Sequence, residues 1–200
     1  MRILFLLAVR LFRKLCRVIS YKFQRIHHIS LLRKHLASFD SQSLVFNGKC
    51  ILQINKGAKV TIGHNFVIWG GERRCVDNNC YSQIFVDNYA VLSIGNNSGI
   101  SNTLINCEGN ILIGDYVKIG AGCKICDRSP NGNNLNKEQR LIIDNHVFIG
   151  MRSVINGPVH IGEKSIIAAG SVVNTDIPKG EIWGGSPAQF IKGMFYKLTC

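Results

Sequence analysis

Acidic residues are scarce in this 200-residue chain: 12 Asp and Glu stand against 24 Lys and Arg, for a formal charge of +12. The shortage is local. Residues 1–40 hold 9 basic residues and one acid, Asp40, while the remaining 160 hold 15 basic and 11 acidic residues. Charge therefore speaks to the partners of an N-terminal arm and says little about the rest. That arm also lacks Gly and Pro from Met1 to Phe39, so nothing interrupts a helix. It lacks a long apolar run as well. Ile3 to Val9 is seven residues, against the ~20 that a spanning helix needs. With so short a run and no small-residue cleavage site behind it, a secretory signal is not expected. Histidine spacing that would suit a metal is missing, and Cys123-x-x-Cys126 has neither a second pair nor a histidine beside it, so no metal is expected.

What the arm does have is a basic stripe. Arg10, Arg13, Lys14 and Arg17 recur at helical spacing, with Ile3, Leu4, Leu7, Ala8, Leu11, Leu15 and Ile19 filling much of the remaining surface. Residues 1–37 read as an amphipathic helix lying in a membrane interface, basic groups toward anionic head groups. The apolar half favours a membrane, or docking on the chain's own solenoid, over nucleic acid as the partner. The eight cysteines are scattered, and reduced thiols in a cytoplasmic protein are expected over a disulfide framework, with Cys75 and Cys80 left open as a pair.

Beyond residue 40 the period changes. Every sixth residue from Ile143 is β-branched: Ile149, Ile155, Ile161, Ile167, Val173. A helix repeats its apolar face every three to four residues and a half-buried strand every two. Six is neither, and it fits short strands joined by bends, each offering one aliphatic side chain to a shared axis. Four residues after each of these positions stand Val147, Ser153, Val159, Ser165 and Ser171, small or β-branched where a bend is crowded. Such hexapeptide periods mark parallel β-helices, whose coils bury their apolar facets only by stacking. Ile113, Ile119 and Ile125 keep the same step. Two stretches break it: residues 69–82, and Cys126 to Arg140. The second is polar and nearly free of aliphatics, yet Ile125 and Ile143 are eighteen apart, three sixes, which reads as one full coil kept in phase. A loop held by a rigid scaffold is where function is expected.

The segment Ile143–Lys192, IDNHVFIGMRSVINGPVHIGEKSIIAAGSVVNTDIPKGEIWGGSPAQFIK, resembles the closing coils of the hexapeptide-repeat acyltransferase family, in its maltose, galactoside and nodulation group. SGISNTLI (Ser98–Ile105) and ILIGDYVKIGAGCKICD (Ile111–Asp127) are similar to coils of the polysaccharide O-acetyltransferase branch. The resemblance implies an all-β, left-handed parallel β-helix over residues 41–192, preceded by the helical arm 1–40 and followed by a tail, 193–200. It implies a homotrimer with sites between subunits, and acetyl-CoA as co-substrate for acetylating a sugar or cell-surface polysaccharide precursor. By the same likeness Phe148 and Met151 line the acyl end, Ala169, Asn174 and Thr175 lie beside the pantetheine arm, and Lys192 stands near the nucleotide end.

One family feature is missing. Acyl transfer to a hydroxyl needs a base, usually histidine. Relatives carry it in a short motif that begins where Asp127 stands, but no histidine occurs between His64 and His146. Three readings stay open. Asp127 or His146 is the base, with Asn131 able to orient a hydroxyl but not to take its proton. Or the enzyme works slowly by positioning alone. Or the chain is a catalytically inactive relative that binds or scaffolds. His27, His28, His35, His64 and His160 are weaker candidates still, and none has the spacing of a metal site.

Overall fold

A computed structural model describes residues 44–71, 81–128 and 140–194. The helical arm, Asn131, the Cys75–Cys80 pair and most of the C-terminal tail lie outside the described residues. Among those described there are strands and no helix.

The strands form three parallel faces of a triangular prism. Face 1 runs through Val45–Asn47, Val67–Trp69, Gly99–Ser101, Lys118–Ile119, Phe148–Ile149, Ile166–Ile167 and Glu181–Gly185. Face 2 stacks Cys50–Ile54, Ser82–Val86, Leu104–Cys107, Lys124–Cys126, Val154–Asn156 and Val172–Val173. Face 3 stacks Lys59–Ile62, Val91–Ile94, Asn110–Ile113, Leu141–Ile143 and His160–Ile161. The chain visits the faces in that order, turns a corner after each, and repeats. This is the left-handed parallel β-helix. A final strand, Ala188–Gly193, folds back antiparallel on Glu181–Gly185 and covers the last edge of face 1.

The six-residue step is the geometry of one face. Ile143, Ile149, Ile155, Ile161, Ile167 and Val173 are each at most 1% exposed and fall on faces 3, 1 and 2 in rotation. Each meets its equivalent one coil later, as Ile149 meets Ile167 and Ile155 meets Val173, eighteen residues on. The small residues four positions later turn inward at the corners. Ser153, Ser165 and Ser171 are fully buried, and each hydroxyl donates to a backbone carbonyl: Ala168 O at 3.0 Å, Pro178 O at 2.7 Å and Ala168 O at 2.6 Å. Size was legible in the sequence; this bonding, which satisfies the bends, was not. Cys123 takes the slot that Ser153 holds one coil on, its thiol donating to Gly150 O. Its neighbour Cys126 faces outward, so the two belong to the wall.

The corner from face 3 to face 1 is a ladder. Asn65, Asn97, Tyr116, His146 and Lys164 all adopt φ between 56° and 62° there. Asparagine tolerates that conformation better than most residues. The preceding residues bond coil to coil: His64 N–H donates to Asn96 Oδ1 at 2.8 Å, Asn96 N–H to Asp115 Oδ1 at 2.5 Å, and Asp115 N–H to Asn145 Oδ1 at 2.7 Å. Gly95 and Gly114 stand just before these rungs because a Cβ on either would collide with the next coil.

The polar interruption corrects one expectation. Ile125 pairs with Ile155, thirty residues on, where the regular coil needs eighteen. Ile143 is not the coil-mate of Ile125 but sits one face further round, against Ile113. The stretch after Asp127 is therefore a twelve-residue insertion at the corner between faces 2 and 3, in place of a coil. Phase survives because twelve is two sixes.

Candidate functional site

Among the described residues, the predicted site residues fall on the three corners, on face 1 and on the last strand, and one chain does not bring them all together. Phe148 and Met151 flank the inward Ile149, both about half exposed, at 48% and 52%. Met151 stands at the corner between faces 1 and 2. Ala169 is its counterpart one coil on, and the N–H of Gly170 donates to Met151 O at 2.8 Å, fixing the stack. Met151 and Ala169 make one ledge, with Phe148 three residues before Met151 on face 1. The ledge is apolar and open, above a fully buried rung. Beyond it, Ile191 of the last strand approaches Gly184 and Ala168, adding exposed apolar surface. Lys192 is exposed on that strand, paired with Ile182. Asn174 and Thr175 are exposed at the next corner, across Val172–Val173 of face 2.

Asp127 also lies at the corner between faces 2 and 3, but it is 1% exposed. Its Oδ1 accepts from Glu108 N–H and its Oδ2 from Gly109 N–H, both at 2.8 Å. Both oxygens hold the turn of the preceding coil, so Asp127 is an anchor at the root of the insertion. His146 stands at a different corner. It is exposed, its backbone N–H bonds Asp115 O at 2.8 Å, and its ring stacks on Tyr116 with centroids 4.9 Å apart and planes 4° from parallel. That arrangement caps the ladder.

A histidine that the sequence reading set aside is better furnished. His160 opens the last strand of face 3, half exposed, with Nε2 2.8 Å from Asp144 Oδ2. Its backbone N–H donates to Asp176 Oδ1 at 2.8 Å. Only the position of a carboxylate in the coil before could have revealed it, because Asp144 is sixteen residues away in sequence.

The buried thiols offer no nucleophile. Burial pushes Cys50 up to about 12, and Cys107 likewise to about 12 with the Asp127 carboxylate adding to it. Burial raises Cys123 to about 11 against opposing backbone bonds. All three stay protonated at neutral pH, and a protonated thiol is a poor attacker and metal ligand. Among the described residues no group of three His, Cys, Asp or Glu could hold a metal ion.

Residues 141–175 match the family described as bacterial transferase hexapeptide (six repeats). The chain is 30% identical over 184 residues to the mitochondrial gamma carbonic anhydrase 2 of Arabidopsis thaliana, covering 86% of this chain and 56% of that protein. It is 35% identical over 107 residues to the bifunctional protein GlmU of Psychrobacter arcticus, 54% of this chain and 22% of that protein. The chain thus spans little more than half the length of one relative and about a fifth of the other. Among solved structures, a hexapeptide transferase family protein from Anaplasma phagocytophilum superposes with TM-score 0.53 at 23% identity, over 76% of this chain and 84% of that one. A variant of AntD, an N-acyltransferase from Bacillus cereus in complex with dTDP and coenzyme A, superposes with TM-score 0.53 at 21% identity, over 77% and 86%. With the six-residue rungs and the three parallel faces, the comparisons support a hexapeptide-repeat left-handed β-helix, and residues 141–175 carry the repeat of that family.

Proposed function

We propose that the protein is an acetyl-CoA-dependent O-acetyltransferase acting on a sugar or cell-surface polysaccharide precursor. The observation that carries this is the ledge of Met151 and Ala169, with Phe148 before it on face 1. It offers exposed apolar side chains and coil-edge backbone where an extended thioester arm could lie, and it sits at the positions that the family likeness assigns to the donor. A fold of this kind accommodates coenzyme A in the Bacillus cereus N-acyltransferase. The working unit is a homotrimer, in which a neighbour would supply the other wall of the cleft. Asn174, Thr175 and Lys192 extend the donor site toward the pantetheine and nucleotide ends. Residues 1–37 hold the protein on the cytoplasmic face of the membrane, where a lipid-linked acceptor is assembled.

A second reading has its own observation. Asp127 is committed to two backbone N–H groups and His146 to a corner stack, so neither sequence-predicted base is free. The chain would then be a catalytically inactive relative that binds or scaffolds. The test is release of free thiol from acetyl-CoA with a panel of glycan acceptors. Acceptor-dependent release is the expected result. Release no faster than in buffer across the panel, with acetyl-CoA still bound, would establish the second reading.

A further inference from the structure

We infer that Ser153 and Ser171 are positioning residues of the donor site: by holding the carbonyl of Ala168 inward they turn the N–H of Ala169 outward, where it takes an amide carbonyl of the extended acyl-CoA arm; this rests on the proposed acyltransferase function. Ala168 O accepts from Ser171 Oγ at 2.6 Å and from Ser153 Oγ, one coil earlier, at 3.0 Å. Both serines are fully buried, so the oxygen faces the interior of the prism. Ser171 Oγ in turn accepts from Gly185 N–H at 3.3 Å, which ties this corner to the closing hairpin.

The peptide between Ala168 and Ala169 is trans and planar, so its N–H points away from its C=O. A carbonyl fixed inward therefore leaves the Ala169 N–H on the outer side of the corner. Ala169 is exposed, and among the described residues no acceptor takes its N–H. The amides on either side are occupied: Ala168 N–H donates to Trp183 O and Gly170 N–H to Met151 O, both at 2.8 Å. An open donor thus stands on the ledge, beside Met151. The same arrangement recurs one coil earlier, where Cys123 Sγ donates to Gly150 O at 3.1 Å, just before Met151. Thr103 holds the slot a coil before that, its Oγ1 3.4 Å from Gly120 O. The inner column of Thr103, Cys123, Ser153 and Ser171 is therefore a row of donors that sets the corner peptides from within.

The ligand chemistry follows from the donor. A single backbone N–H beside apolar side chains suits a neutral carbonyl oxygen, since it offers no charge to hold a phosphate. The arm of acyl-CoA carries amide carbonyls between its thioester and its nucleotide. Ala169 stands one coil beyond Met151, ~4.8 Å further along the prism from the acyl end. The serines touch no ligand. They remove the freedom of the peptide, so that the donor is aimed before the arm arrives and little ordering remains for binding to supply.

The experiment uses the full-length protein, with amide-resolved hydrogen exchange by NMR and calorimetric titration of CoA and acetyl-CoA. In wild type the Ala169 amide should exchange freely. Saturating CoA and acetyl-CoA alike should slow it about tenfold or more, because the amide carbonyls are common to both. Replacing both serines, Ser153→Ala with Ser171→Ala, should weaken acetyl-CoA binding about three- to tenfold, the range of one hydrogen bond. Ser153→Thr with Ser171→Thr keeps both hydroxyls, in a slot that Thr103 already fills, and should bind within about twofold of wild type. Ser165→Ala removes the same kind of bond at another corner and should lower the melting temperature without weakening binding. Ligand binding with Ala169 exchange unchanged overturns the inference and leaves the proposed function standing. So does a double alanine variant that loses less than threefold, or no more than Ser165→Ala loses. A wild type that binds neither CoA nor acetyl-CoA overturns the proposed function and the inference with it. If the double alanine variant fails to fold, Ser153→Ala replaces it under the same threefold limit.

Discussion

Ser165 and Asp127 show how single side chains hold a prism of this kind together. Each is buried, each is polar, and each serves backbone that a bend would otherwise leave without a partner. Ser165→Ala strips the bond from Pro178 O, and the loss should be about 1–3 kcal/mol, read by urea denaturation. Ile155→Ala removes an aliphatic plug at 0% exposure and should cost about 2–5 kcal/mol in the same assay. The thiols give a pH signature. Cys50, Cys107 and Cys123 ionise at about 12, 12 and 11 in the fold against a reference of 9.0. Between those values the native state keeps protons that the unfolded chain has lost, so their contribution is whole below pH 9.0 and fades as pH rises toward 11 to 12. The melting temperature should fall steeply above pH 9.0, and Cys50→Val should flatten that fall. An unchanged slope in the variant would mean that other groups control the alkaline limb.

At the scale of elements, the insertion at the corner between faces 2 and 3 is separable from the coil. Removing residues 128–139 turns the thirty-residue spacing of Ile125 and Ile155 into eighteen, the regular coil. The shortened protein should keep its β-rich circular dichroism and melt within a few degrees of wild type, while transfer to acceptor is lost. Early aggregation would show that the insertion is structural after all. The rungs were legible in sequence because a β-branched residue every sixth position satisfies no other regular structure, and Ile149, Ile155, Ile161 and Ile167 indeed point inward at 0% exposure. Fold and corners followed from that single period. What was not legible is anything joining residues one coil apart. Asp127 to Glu108 and His160 to Asp144 are contacts across nineteen and sixteen residues, and they pass between coils. Spacing marks a facet, but it does not say which polar side chains face each other up the stack. For that reason Asp127 read as a candidate base, and the contact of His160 with Asp144 did not show.

On the scale of the whole molecule, a rigid prism carries a basic N-terminal arm and the apolar corner proposed for the donor. The arm supplies its own test: deleting residues 1–37 should move the protein from the membrane fraction to the soluble fraction, and retention on membranes would refute the anchoring role. In the proposed enzyme acetyl-CoA lies along the corner between faces 1 and 2. Calorimetric titration of acetyl-CoA into wild type and Ala169→Trp tests this most directly, because Ala169 is exposed and an indole there fills the ledge beside Met151 without entering the core. The prediction is measurable binding to wild type and a loss of at least tenfold in Ala169→Trp, with the melting temperature unchanged. Equal affinity in the two proteins, or no binding to either, would contradict it.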